Sequence, residues 1–321
     1  MRRFKYEING MLRMRHALAF IIILIILVSC APKPREGQPV TDYRKGKEGI
    51  VISFAEGTPP QKTYENTEFT VIVKVWNKGA FDNPYGRVYL GGYDPVAILF
   101  SPNEQDLPPI QGSSQYLPGG GYDTLTFTAT QASVLSGDVY RPTLMASACF
   151  IYQTLATPTV CIVPKPIELI KNKICEPKTI TMHSQGAPVA VTRVDEEIMD
   201  GAVNFIITIQ NVGGGTVVKT ESMGECPWNL DYKDIDEVEA KVYIRSIGEG
   251  ECTPKGRIKL VDGKGVMSCM FQLAAQSGYD TPQTSYTTPL EINLNYGYNT
   301  NIRKQIEIAR IPGTKQGGWT P

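Results

Sequence analysis

Phe69-Thr-Val-Ile-Val-Lys-Val-Trp-Asn77-Lys-Gly79 is one copy of a pattern that returns as Val203-Asn-Phe-Ile-Ile-Thr-Ile-Gln-Asn211-Val-Gly213. At an offset of 134 (203 − 69), Phe69, Val71, Val73 and Val75 fall on Val203, Phe205, Ile207 and Ile209. Apolar residues at period two put one face of a strand into a core. The Asn-x-Gly that follows reads as a turn, because Asn and Gly both tolerate positive φ.

A second correspondence closes each copy. Phe150-Ile-Tyr152-Gln-Thr154 matches Tyr296-Gly-Tyr298-Asn-Thr300 at an offset of 146, and Val160 and Ile162 fall on Ile306 and Ile308. The offsets differ by 146 − 134 = 12, so the second copy carries twelve extra residues between the landmarks. The acidic stretch from Glu221 to Glu237 is the expected place for them. Each copy ends with a strand, a turn and a last strand.

Short strands fill the rest. In the first copy they are expected at Ile50–Phe54, Phe69–Trp76, Val96–Phe100, Thr124–Thr130, Thr143–Tyr152 and Thr159–Val163. In the second they are expected at Val189–Val194, Val203–Gln210, Val238–Ile244, Arg257–Leu260, Gly265–Leu273, Leu290–Tyr298 and Ile302–Ile311. The expected fold is all-β: two immunoglobulin-like β-sandwich domains in tandem, 49–164 and 165–312, followed by a tail at 313–321. Pro164-Lys165-Pro166 fixes φ twice and makes the hinge short and stiff. The 321 residues, with 30 Gly and 23 Pro, suit two such domains.

Ahead of the domains stands Ala17 to Cys30, ALAFIIILIILVSC, behind Arg2, Arg3, Lys5, Arg13 and Arg15. The apolar run Ala17 to Val28 is shorter than the roughly 20 residues of a spanning helix and fits a signal h-region. Leu27-Val28-Ser29-Cys30 resembles the lipobox of secreted lipoproteins. That resemblance implies lipid attachment at Cys30 after cleavage. An uncleaved signal anchor is the alternative, and either leaves the domains on the outer side of a membrane. Residues 31–48, APKPREGQPVTDYRKGKE, have the composition of a flexible tether.

A strand running into Asn-x-Gly within a repeated, secreted β module also resembles the immunoglobulin-like, cell-adhesion-related surface lipoproteins of archaea and bacteria. The resemblance implies a sandwich in a surface context and carries no catalytic residue. It implies a binding, adhesion or structural module held to a membrane by its N-terminus, with a protein or glycan as partner. A subunit of an envelope filament or secretion assembly, and a secreted hydrolase, are the alternatives. Lys+Arg and Asp+Glu are 32 each. Loss of the first 29 residues leaves 27 basic against 31 acidic groups, with no basic stripe, so nucleic acid is not an expected partner.

With Cys30 assigned to lipid, Cys149, Cys161, Cys175, Cys226, Cys252 and Cys269 remain. An even number outside the cell implies disulfides. A hairpin of Thr143–Thr154 with Thr159–Val163, centred near Leu155, would set Cys149 opposite Cys161 within bridging range. Cys252–Cys269 and Cys175–Cys226 are then the favoured remaining pairs. There is no C-x-x-C, and His183 is the only histidine beyond His16, so zinc or a Cys–His nucleophile has little to draw on. Carboxylates gather in VDEEIMDG (Asp195, Glu197, Asp200) and NLDYKDIDEVE (Asp231, Asp234, Asp236). Oxygen ligands of this kind make them candidates for Ca²⁺. VDEEIMDG also reads as a plain hairpin turn. Gly-Tyr-Asp occurs at 92–94, 121–123 and 278–280, where Tyr suits sandwich edges or a partner surface.

Overall fold

The computed structural model describes residues 43–82, 84–163, 173–199, 201–273 and 284–311. It is all-β, and the strands are numbered β1–β22 in chain order. In the first copy β1 (Ile50–Phe54), β3 (Phe69–Asn77), β7 (Tyr122–Ala132) and β5 (Ile98–Phe100) form one sheet in the order β1-β3-β7-β5. Val71, Val73 and Val75 on β3 are fully buried while Lys74 and Trp76 face out, as the period-two pattern requires. In the second copy β11 (Ile180–Thr181), β12 (Val189–Met199), β13 (Ala202–Asn211), β19 (Lys264–Gln272) and β17 (Glu251–Thr253) pair in the order β11-β12-β13-β19-β17. Val203, Phe205, Ile207 and Ile209 on the central β13 are fully buried. VDEEIMDG is mostly strand: it continues β12 to Met199, which pairs with Ala202 on β13, and Gly201 stands at φ +69°.

The two copies share their other sheet. Its eight strands run β16 (Gly248–Glu249), β15 (Glu237–Ile244), β21 (Glu291–Gln305), β9 (Thr143–Ala156), β4 (Gly86–Gly91) and β6 (Glu104–Asp106). In addition β14 (Thr216–Val218) pairs with β21, and β18 (Arg257–Lys259) pairs with β15. Buried residues of all three sheets join in one hydrophobic core. The seam is β9 against β21, antiparallel, with Ile151 opposite Gly297. Those two residues are equivalent in the repeat (297 − 151 = 146), so a pseudo-two-fold axis passes between them. Tyr152↔Tyr296 and Phe150↔Tyr298 flank it symmetrically.

The same register continues past both ends of the seam. β10 (Thr159–Ile162) of the first copy pairs with β20 (Tyr286–Pro289) of the second, with Thr159 opposite Pro289. Reciprocally, β22 (Glu307–Ala309) pairs with β8 (Val139–Tyr140) and, in parallel, with β2 (Lys62–Tyr64). Each copy thus lends its last strand to the other, the arrangement of a strand-exchanged dimer within one chain. The hairpin expected between Thr143–Thr154 and Thr159–Val163 does not form. Ala156-Thr157-Pro158 contains no residue suited to positive φ, and Pro158 biases Thr157 to extended backbone, so the chain runs on instead of turning back.

The two sequence landmarks of each copy meet in space. Tyr152 Oη donates to Asn77 Oδ1 (3.1 Å) and accepts from the Phe81 N–H (3.3 Å), while Asn77 Nδ2 donates to the Phe81 carbonyl (2.7 Å). In the second copy Tyr298 Oη donates to Asn211 Oδ1 (3.1 Å) and accepts from the Gly215 N–H (2.8 Å), and Asn211 Nδ2 donates to the Gly215 carbonyl (3.0 Å). Burial pushes both hydroxyls well above the usual tyrosine range, which keeps them protonated donors. Gly79 and Gly213 are not at positive φ, against the expectation from the motif. They are needed for close approach: a Cβ at Gly79 would lie 2.0 Å from Tyr152 Oη, and one at Gly213 2.3 Å from Tyr298 Oη.

The extra chain of the second copy folds as two 3-10 turns, Thr220–Glu225 and Tyr232–Asp234, at the expected acidic stretch. It acts as a strap. Met223 lies on Gly297 at the pseudo-axis, and Trp228 lies on Gly91 of the first copy. Asp231 and Asp234 form a capping box at its second turn.

One joint between the copies is ionic. Glu307 on β22 meets Lys62 Nζ (3.1 Å) and Arg141 Nη2 (3.0 Å), and these cations hold its carboxyl below the usual carboxylate range. A depressed folded pKa contributes stability that is present above the unfolded carboxylate pKa, about 4.3, and lost as pH falls through the folded value. Glu307→Gln is therefore expected to flatten the loss of thermal midpoint on acidification. Identical acid profiles for variant and parent would remove the pair from the account of acid stability.

Candidate functional site

All six cysteines among the described residues are in disulfides: Cys149–Cys226, Cys161–Cys175 and Cys252–Cys269. The Cys252–Cys269 pairing agrees with the sequence expectation, and these residues lie directly opposite on β17 and β19. The expected Cys149–Cys161 and Cys175–Cys226 pairs are corrected. Cys149 on β9 faces the strap and bonds Cys226 there. Cys161 on β10 bonds Cys175 across the link between the copies. With no β9–β10 hairpin, Cys149 and Cys161 are not opposed. Cys30 lies outside the described residues.

The carboxylates are distributed among separate local tasks. Asp195 accepts from Arg193 and from Thr179 Oγ1 (2.6 Å), and these bonds, Arg193 first, hold it below the usual range. Glu196 accepts from the N–H of Cys161 (3.2 Å) and of Lys178 (3.3 Å). Burial nevertheless raises its pKa, with those two donors opposing. Glu197 accepts from Asn204 Nδ2 (2.9 Å). Asp234 accepts from Ser222 Oγ (2.8 Å) and the Asp231 N–H (3.0 Å), and Asp231 pairs with Lys233. Asp236 takes φ +58° where the chain enters β15. Asp200 lies outside the described residues. Among the described residues no group of three or more His, Cys, Asp or Glu is placed to hold a metal ion.

The feature with the shape of a binding site is a groove that sequence reasoning missed. After β16, the chain leaves the eight-stranded sheet, crosses to the five-stranded sheet as β17, and returns as β18. The Cys252–Cys269 bond holds the excursion in place. It opens a cavity of about 1000 Å³ between β15 and β17. The Ala240 N–H donates to Gly256 (2.9 Å) at one end, and the Gly250 N–H donates to Val242 (3.0 Å) at the other. Since N–H and C=O of one strand residue point to the same side, the Ala240 carbonyl and Val242 amide face the groove. Val242, Met270 and Ala240 make its apolar part. Glu239, Glu249, Glu251, Lys241, Lys255 and Arg257 supply three charges of each sign. Arg257 is held by Glu221, Glu237 (3.2 Å) and Glu239 (3.1 Å). This geometry suits an extended chain that offers one backbone donor, one acceptor and side chains of mixed charge. GEGECTPKG reads as an ordinary loop, and only the Cys252–Cys269 pairing hinted that it was pinned to a neighbouring strand.

Of the three Gly-Tyr-Asp tyrosines, Tyr93 packs on Phe100 (5.0 Å between ring centroids) and Tyr122 is exposed against Trp76. Tyr279 lies outside the described residues. Among the described residues no helix is long and apolar enough to cross a membrane. Intramolecular disulfides at every described cysteine indicate an oxidising, extracytoplasmic compartment. No family model matches the chain, and no curated protein matches it in sequence.

Proposed function

We propose that this is a membrane-tethered, extracytoplasmic surface protein whose two immunoglobulin-like β modules act as a binding or structural unit. The observation that carries the reading is the disulfide set. Two of the three bonds join one repeat copy to the other or close the link between them, a use of cysteine suited to a chain that works outside the cell. The apolar stretch ending at Cys30 supports the tether, and the groove beside β15 offers a place for a partner's extended segment. The test is mass spectrometry of the native protein with protease shaving of intact cells. An acylated N-terminal Cys30 peptide, or a retained Ala17–Val28 segment in the membrane fraction, is the expected result together with cleavage from outside. A protein that stays in the soluble cytosolic fraction with free thiols overturns the reading.

A second reading, as a subunit of an envelope assembly joined by strand addition, is favoured by β1. This strand ends its sheet, and Ile50, Ile52 and Phe54 direct their backbone groups away from β3. Concentration-dependent polymers that vanish with Ile52→Pro would support it.

A further inference from the structure

The described chain begins beside an exposed aromatic surface. Trp76 on β3 lies opposite Tyr122 on β7, with ring centroids 5.9 Å apart, and the two are 42% and 73% exposed. Trp76 Nε1 donates to the Gly119 carbonyl (2.7 Å), which fixes the indole against the loop 113–121. That loop is tightly turned: the N–H groups of Ser114 and Gly120 both donate to the Leu117 carbonyl (3.0 Å each). It holds Tyr116 (93% exposed) and Leu117 outward beside the indole. Four large apolar or amphipathic side chains therefore share one end of the first copy.

The entering chain runs along the same end. Lys78 sits 5.7 Å from the Trp76 ring centroid and pairs with Glu48 (3.3 Å), and its N–H donates to Gly49 (3.0 Å). Lys45, Lys47 and Lys74 are also exposed, against exposed Glu48, Asp123 and Asp82, whose Oδ1 accepts from the Gly112 N–H (2.8 Å) where the 113–121 loop begins. The balance is basic. Tyr43 is only thirteen residues beyond Cys30 (43 − 30). Arg44 packs on Gly186 near Ala80, and thirteen residues reach at most about 45 Å even when fully extended, so a bilayer holding Cys30 is within reach of this part of the fold.

We propose that this end, Trp76, Tyr116, Leu117 and Tyr122 with Lys45, Lys47, Lys74 and Lys78 around them, docks onto the headgroup layer of the membrane that holds the chain. Trp and Tyr settle at the water–lipid boundary because one end of each ring system is apolar and the other polar. The lysines add attraction to anionic lipid. The proposal rests on the tethered reading above. It goes further by giving the protein a fixed orientation, with the aromatic end down and the β15–β17 groove free of the lipid contact.

The test uses the full chain in vesicles of phosphatidylcholine with one quarter phosphatidylglycerol. Trp228→Phe with Trp319→Phe leaves Trp76 as the sole tryptophan, and Trp76→Phe with Trp319→Phe leaves Trp228 on the strap. Lipids brominated near the headgroup should at least halve Trp76 emission and leave Trp228 emission nearly unchanged. Equal quenching of the two, or none of Trp76 in protein that floats with the vesicles, overturns the docking and leaves the tether standing. Protein that does not float overturns the tether and the docking with it. In the unsubstituted chain, amine labelling of Lys74 and Lys78 should slow several-fold on vesicles relative to Lys255 in the groove. Unchanged ratios overturn the proposal without reliance on any variant.

Discussion

Gly79→Ala should be among the most damaging single substitutions in the chain, and Gly214→Ala among the mildest. The new methyl at position 79 would stand 2.0 Å from Tyr152 Oη, 2.5 Å from the Gly186 carbonyl oxygen and 2.6 Å from that of Glu48. Two of these three obstacles are backbone from other segments, so rotating one side chain cannot relieve them. Expelling the hydroxyl would also strip Asn77 Oδ1, on a fully buried residue, of its donor. Overpacking of this kind costs about 1–3 kcal/mol, and an orphaned buried acceptor about as much again. At about 2–4 °C per kcal/mol the thermal midpoint should fall on the order of 10 °C. At Gly213 the obstacles are Tyr298 Oη at 2.3 Å and the Pro188 Cβ at 2.8 Å, with no carbonyl. Tyr298→Phe should therefore rescue much of Gly213→Ala, while Tyr152→Phe rescues little of Gly79→Ala. A Cβ at Gly214 meets nothing within 4 Å, and its midpoint should stay near that of the parent. Equal midpoints for Gly79→Ala and Gly214→Ala would refute the contact between glycine and tyrosine hydroxyl.

The same motif shows what the sequence could and could not disclose. The apolar rows at 69–75 and 203–209 were legible because burial at period two is a property of consecutive residues. Asn-x-Gly was visible as a repeated motif, but its reason was not. The glycine answers to Tyr152 or Tyr298, far along the chain, and a turn rule that considers only φ misassigns it. Most strand centres were likewise legible, while ends and partners were not: the expected break between Leu290–Tyr298 and Ile302–Ile311 is absent, since β21 runs unbroken from Glu291 to Gln305. Thr143–Tyr152 reads as a strand from its own residues, yet the strand runs on to Ala156 and its neighbours β4 and β21 come from both copies. The reciprocal loan of β10 and β22 leaves no local mark at all. At the candidate groove, Cys252 opposite Cys269 was the one readable sign. The excursion itself depends on β15 and β19 standing in different sheets. The carboxylate clusters looked like ligand sets because they are dense in sequence, but alternate strand residues point to opposite faces and the density is divided.

Removing Cys149–Cys226 should cost more than removing either other bond. The three pairs are separated by 77, 14 and 17 residues respectively. In the chain-entropy account, a closed loop near 77 residues restrains the unfolded chain by about 4.5 kcal/mol, against about 3 kcal/mol for loops near 15. Packing adds to the difference. Cys149 and Cys226 are both buried, in a small cluster with Val218, Met223, Leu230 and Tyr89. This bond fastens the strap to β9, next to the pseudo-axis, so it also holds the two copies in register. Cys149→Ala with Cys226→Ala should lower the denaturant midpoint well beyond Cys252→Ala with Cys269→Ala, and should expose Trp228 further to quencher as the strap loosens from Gly91. The order of reduction in the native protein should run the other way. Cys252 and Cys175 each leave a half-buried sulfur residue at the surface, whereas both ends of Cys149–Cys226 are covered. The long-loop bond should therefore be the last to open under a mild reductant. If the Cys149/Cys226 variant melts with the short-loop variants, the strap is an appendage and the β9–β21 seam alone holds the copies together.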